Sequence, residues 1–117
     1  MTLVHDRTSA VIATAVDLAL TRHARRRGLL GRTSLAAHAA MFISPCLAVH
    51  TIGLPFAIDV AFVDRTGRAV RLVHNLRPWR VAAALRGRSV IELAAGRLRQ
   101  CGVEVGDRLS VHAEGTS

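Results

Sequence analysis

LAVHTIGLPFAIDVAFVDRTGRAVRLVH, residues Leu47 to His74, is the stretch whose reading decides the fold. It contains three runs rich in Val, Ile, Leu, Phe and Ala: Leu47 to Ile52, Ala57 to Val63 and Ala69 to His74. β-branched and aromatic enrichment between turn residues is the mark of strands. Gly53-Leu54-Pro55-Phe56 reads as a four-residue hairpin loop, and Asp64-Arg65-Thr66-Gly67 as a type I turn with a glycine bulge. With Ala40 to Ile43 placed ahead of them, the segments predict an antiparallel meander of four strands.

Two turns imply a register. Ile52 falls opposite Ala57 and His50 opposite Asp59; across the second turn Asp64 faces Arg68 and Ala61 faces Arg71. Alternation assigns Leu47, Val49, Ile58, Val60, Phe62, Val70 and Leu72 to a core face. The opposite face carries Cys46, Ala48, His50, Asp59, Ala61 and Arg71, where alanines leave room around the polar groups. A carboxylate beside an imidazole orients it and raises its basicity, as a general base requires. The same pair also serves as an ordinary satisfied polar contact. Arg71, diagonal to Asp59, suits an anionic ligand or an ion pair. Cys46 lies roughly 13 Å along the strand from His50, too far for shared metal ligation without a bend at Pro45, so no metal site is expected. Trp79, after Pro78, reads as a core plug or as a lid over the alanine-rich face.

Outward from this stretch, Val11 to Asp17 predicts a first strand. Thr21 caps a helix over Arg22 to Arg27 that ends at Gly28 or Gly31. An irregular segment, Pro78 to Gly87, has room for a helical turn at Val81 to Leu85. Ser89 to Leu93 reads as a strand, Ala94 to Cys101 as a short helix stopped by Gly102, and Gly106-Asp107 as the turn into a last strand, Arg108 to His112. No repeat, linker or low-complexity run interrupts the pattern. The expectation is one α+β domain over residues 1–117, mainly antiparallel β-sheet or a partly closed barrel, with two or three short helices.

Composition narrows the classes. The chain has 117 residues, is 50% apolar and carries a formal charge of +8. So apolar a chain has the means to build a core and is no disordered polybasic tail. Two cysteines cannot staple a mini-domain. Every basic side chain is arginine, and Arg22, Arg25, Arg26, Arg27 and Arg32 fall in one acid-free run. No aromatic residue lies among them to stack a base, so a solvated helix face is favoured over a nucleic-acid patch. Met41 to Val63 is long enough to cross a bilayer, but Pro45, Gly53 and Pro55 break it and no membrane span is expected. The start lacks a basic n-region and Asp17 interrupts the apolar stretch that follows, so a cytoplasmic location is expected. No cofactor motif is present.

Arg27-Gly28-Leu29-Leu30-Gly31-Arg32, Met41-Phe42-Ile43, Val49-His50-Thr51-Ile52-Gly53, Ile58 to Asp64, Gly67, Pro78-Trp79-Arg80, Ile91 to Gly96 and Val105-Gly106-Asp107, in this order and spacing, resemble the domain-of-unknown-function family 192 over about residues 20 to 112. The resemblance implies a small, strand-dominated α+β fold of bacteria and archaea with no established activity. Gly28, Arg32, Asp59, Glu92, Gly96 and Asp107 match motif positions to which the family gives no role. His50-Thr51-Ile52-Gly53 departs from the tryptophan–methionine–lysine–asparagine–threonine run of many members.

Three functions follow from the residues. The first is a module that binds a small molecule or a protein partner on the face of His50 and Asp59, with Arg71, Arg32, Cys46 and Trp79 around it. The second is an enzyme with His50 as general base oriented by Asp59. The third, less favoured, is nucleic-acid binding through Arg22 to Arg32.

Overall fold

A computed structural model describes residues 1–113; residues 114–117 of the expected domain lie outside the described residues. In chain order the elements are β1 (Thr2–His5), β2 (Ala10–Ala13), β3 (Ala15–Ala19), α1 (Arg22–Arg27), β4 (Ala39–Ile43), β5 (Ala48–His50), β6 (Ile58–Val63), β7 (Ala69–Leu76), β8 (Val81–Ala83), β9 (Ser89–Ala94), α2 (Arg97–Gln100) and β10 (Leu109–His112). The fold is α+β and mostly β. Its sheets are a five-stranded one in the order β3-β4-β9-β6-β7, a three-stranded one in the order β10-β1-β2, and the ribbon β5-β8. None of these sheets closes on itself, so of the two expected forms it is the mainly antiparallel sheet that is seen. The β3–β4 pair is parallel and the other pairs are antiparallel.

The predicted meander breaks at its centre. β6 is flanked by β7 and β9, both long enough to hydrogen-bond along it, and every one of its residues is buried. That leaves no edge for β5, which pairs instead with β8. Gly53 to Phe56 is therefore a crossing between sheets and not a hairpin loop. The predicted helical turn at Val81 to Leu85 is a strand up to Ala83 for the same reason, because it supplies β5 with a partner. The second turn forms as expected: the Asp64 amide bonds the Arg68 carbonyl at 2.9 Å, and Asp64 Oδ1 accepts from the Thr66 amide at 2.9 Å. Gly67 there has φ +86°, and a Cβ would lie 2.8 Å from the Leu109 carbonyl oxygen, so only glycine lets β10 approach. A register shift between Phe62 and Val63 puts Arg71 opposite Phe62 and Leu72 opposite Ala61, one residue from the expected pairing.

Both faces of the five-stranded sheet are covered. On one, Ala61, Val63, Ile91 and Leu93 pack against Leu3, Ile12, Leu98 and Leu109 from β1, β2, α2 and β10. On the other, Ile58, Val60, Phe62 and Val90 pack against Val49, Ala82, Leu29 and Leu54. A strand buried on both sides loses its polar/apolar alternation, which explains why the interiors of β6 and β9 are apolar on both faces apart from one acid each, Asp59 and Glu92. Thr21 caps α1 as predicted, accepting from the Ala24 amide at 3.1 Å, and Gly28 ends the helix with φ +46°. Among the described residues no helix is long and apolar enough to cross a membrane.

Candidate functional site

Asp59 and His50, expected as partners, are separated by this topology. Asp59 is fully buried opposite Leu93; its Oδ1 accepts from the Asn75 amide at 2.9 Å and its Oδ2 from the Leu98 amide at 3.0 Å. It thus caps the first turn of α2 and holds β7, satisfying the buried Leu98 amide and the partly buried Asn75 amide. His50 is exposed, pairs with Val81, and accepts from the Ile52 amide through Nδ1 at 3.2 Å. The alanine-rich face around Asp59 is filled by the core from β1, β2 and α2. Arg71 donates to the Ala83 carbonyl, tying β7 to β8. Arg32 pairs with Asp17 at 2.7 Å. Trp79 is 69% exposed with φ +64°, so it is neither plug nor lid.

Two of the expected residues do meet, in a different place. Cys46 and His50 line a cleft of about 80 Å³ together with Arg25, Arg26 and Arg27 of α1, the Gly28 turn, and Glu92 of β9. Leu29, Leu30, Ile43, Val49 and Leu54 complete its walls. Glu92 is central in the sheet, opposite Met41 on one side and Val60 on the other, and points to the face covered by α1 and β5. It is 4% exposed and has neither a hydrogen bond nor an ion pair with any described residue. A Cβ on Gly28 would stand 3.7 Å from Glu92 Oε1, so the helix-ending turn closes down directly over the carboxyl. Burial pushes Glu92 up to about 7, against the opposing charge of Arg32. Burial also pushes the Cys46 thiol up, which keeps it a neutral side chain and not an activated nucleophile.

The chemistry available is thus one carboxyl that exchanges its proton near neutrality, at the bottom of a cleft whose mouth is cationic. A buried carboxyl without a partner forgoes several kcal/mol of solvation unless something supplies a donor or it keeps its proton. Among the described residues no three His, Cys, Asp or Glu side chains converge where a metal ion could sit. The expected face did not include Glu92, although a sequence signal existed: it is the lone acid in Val90-Ile91-Glu92-Leu93-Ala94, an otherwise apolar strand.

A second buried polar cluster surrounds Asp107, and among the described residues it leaves His5 Nδ1 without a hydrogen-bond partner. Asp107 accepts from Arg7 Nε at 3.0 Å and from the Glu104 amide at 2.9 Å, and bonds His5 Nε2 at 2.7 Å. Arg7 in particular holds the Asp107 carboxyl well below the usual carboxylate range. The group pins the β1–β2 loop to the turn before β10.

The family model for DUF192, described as Uncharacterized ACR, matches residues 3–111. No curated protein matches the chain. Among solved structures, one from Sinorhizobium meliloti 1021, named as a candidate transcription regulator, is 23% identical with a TM-score of 0.81 and covers 93% of this chain and 89% of its own. Another, a protein of unknown function from Novosphingobium aromaticivorans DSM 12444, is 22% identical with a TM-score of 0.81, covering 94% of this chain and 82% of its own. Likeness at these identities is likeness of fold.

Proposed function

The chain belongs to the uncharacterised DUF192 family, and from that premise we propose that it is a binding module for a small polar ligand held in the cleft above Glu92. The observation that supports this is the Glu92 carboxyl itself, nearly enclosed and without a partner. A site built to hydrogen-bond a ligand leaves such a group unpaired when empty. The cleft is far smaller than the roughly 300–1,000 Å³ of pockets that take whole drug-sized molecules, so it receives a head group. An N–H donor, an amine above all, suits the carboxyl, and an acidic group further out suits the arginines at the mouth. His50 and Cys46 keep a place in this reading as walls of the cleft. Asp59 supports it from a distance by fixing α2 and β7.

The test is a thermal-shift screen of amino acids, short peptides and small amines on the wild type and on Glu92→Gln. A ligand that raises the wild-type midpoint and leaves the variant unmoved supports the reading. Ligands that shift both proteins equally, or none that shifts the wild type, count against it. Amine binding should strengthen about tenfold between pH 6 and 8 as Glu92 ionises.

A second reading, catalysis, is favoured by the placement of a carboxyl that titrates near 7 in a cleft beside His50. Glu92 would then be the proton-transfer group, in place of His50 oriented by Asp59. Turnover of a ligand found in the screen, lost in Glu92→Gln, separates this from binding alone.

A further inference from the structure

The net charge of +8 has a second home besides α1. Between Asp64 and Glu92 the chain contains no acid, and every arginine of that interval is exposed. None of them forms an ion pair with a described acid. The same interval contains β8, and the ribbon it makes with β5 carries an unusual share of uncovered apolar surface. Leu85 is 91% exposed, Trp79 69%, Val81 67%, Leu47 46% and Ile52 44%.

These side chains are neighbours through the ribbon's pairing. The Ala84 amide bonds the Leu47 carbonyl at 2.9 Å, so Leu47 and Leu85 sit at one end. The Trp79 amide bonds the Thr51 carbonyl at 3.3 Å, so Trp79 and Ile52 sit at the other. Val81, opposite His50, lies between them on the outer face. Arg77 and Arg80 flank Trp79, and Arg86 and Arg88 follow Leu85.

We infer that the outer face of the β5–β8 ribbon is a docking surface for an anionic lipid bilayer. Charge complementarity supplies the first reason: unpaired arginines around an apolar patch meet anionic headgroups while their stems lie along acyl chains. The kind of apolar residue supplies the second. Single-stranded nucleic acid binds on successive aromatic platforms, and this patch has one aromatic against four aliphatic side chains, which stack no base. Aliphatic residues and a tryptophan at headgroup depth are what an interfacial surface uses. None of these apolar side chains lines the Glu92 cleft, although His50, opposite Val81, borders both, and either reading can fail without the other.

Trp79 is the protein's only tryptophan and reports directly on its surroundings. The experiment compares its emission, and co-sedimentation, with vesicles of phosphatidylcholine alone and of phosphatidylcholine with phosphatidylglycerol. The expected result is a blue shift and co-sedimentation with the anionic vesicles only, weakening as salt is raised. Leu85→Asp, at a position too exposed to carry the fold, should weaken partitioning about tenfold or more, with an unchanged circular dichroism spectrum. Absence of a shift with anionic vesicles, an equal shift with neutral ones, or wild-type partitioning by Leu85→Asp overturns the inference. So does a single-stranded oligothymidine that shifts the emission and displaces the vesicles.

Discussion

Replacing Glu92 with glutamine should stabilise this protein at every pH above about 5, by an amount that grows until about pH 7. The wild-type carboxyl is raised from 4.5 to about 7 by burial, so between those values the folded chain holds a proton that the unfolded chain has released. Stability therefore falls as pH rises through that window, and it levels off once both states are ionised. A shift of this size corresponds to about 3 kcal/mol. Glutamine keeps the shape of a protonated glutamate and cannot ionise. The two proteins should have matching stabilities at about pH 4 and diverge to about 3 kcal/mol in favour of the variant by about pH 8, roughly 10–15 °C in midpoint for a domain this size. Urea titrations of both proteins across that range give the difference directly, and other titrating groups cancel in it because they are common to both. Parallel stability curves would refute the reasoning, as would a glutamine variant that is weaker at every pH, since either outcome means the carboxylate already has a partner in the folded chain.

Asp59→Ala strands the Asn75 and Leu98 amides and should cost about 3 kcal/mol in urea unfolding, whereas His50→Ala, at an exposed strand position, should cost less than about 0.5 kcal/mol; equal effects would return the two to a common site. Asp107→Asn should flatten the acid limb of the stability curve. The wild-type carboxyl is depressed mainly by Arg7, so its contribution is present above the unfolded value of 3.8 and is lost as pH falls below it. Unfolding midpoints at about pH 6 and pH 3 should therefore differ less in the variant than in the wild type.

The elements that sequence revealed are those set by local chemistry. Thr21 and Gly28 bracket α1 because a cap and a positive φ act within a few residues, and the Asp64–Gly67 turn closes by its own side-chain bonds. What it hid depends on partners distant in the chain. Counting outward from Gly53 to Phe56 assumed that β5 and β6 pair, while the length and two-sided burial of β6 select β7 and β9. One false pairing displaced the whole proposed face, since His50 and Asp59 were joined only by that count. Cys46 and His50 still lie in the cleft because β5 itself was read correctly: His50 ends that strand and Cys46 shortly precedes it. Glu92 was visible as an acid in an apolar strand, but its meaning came from the α1 turn folded over it, a contact that no periodicity encodes.

The pairing of β1 with β10 has a consequence for how the chain is made. Leu3 finds Val111 more than a hundred residues further along the chain, and the three-stranded sheet that walls one core is incomplete until both are available. Closing so long a loop is an entropic cost that must be met before its contacts give anything back. During synthesis the sheet over Ala61, Ile91 and Leu93 cannot be completed until β10 has left the ribosome, so the strands made before it wait with part of that apolar face exposed.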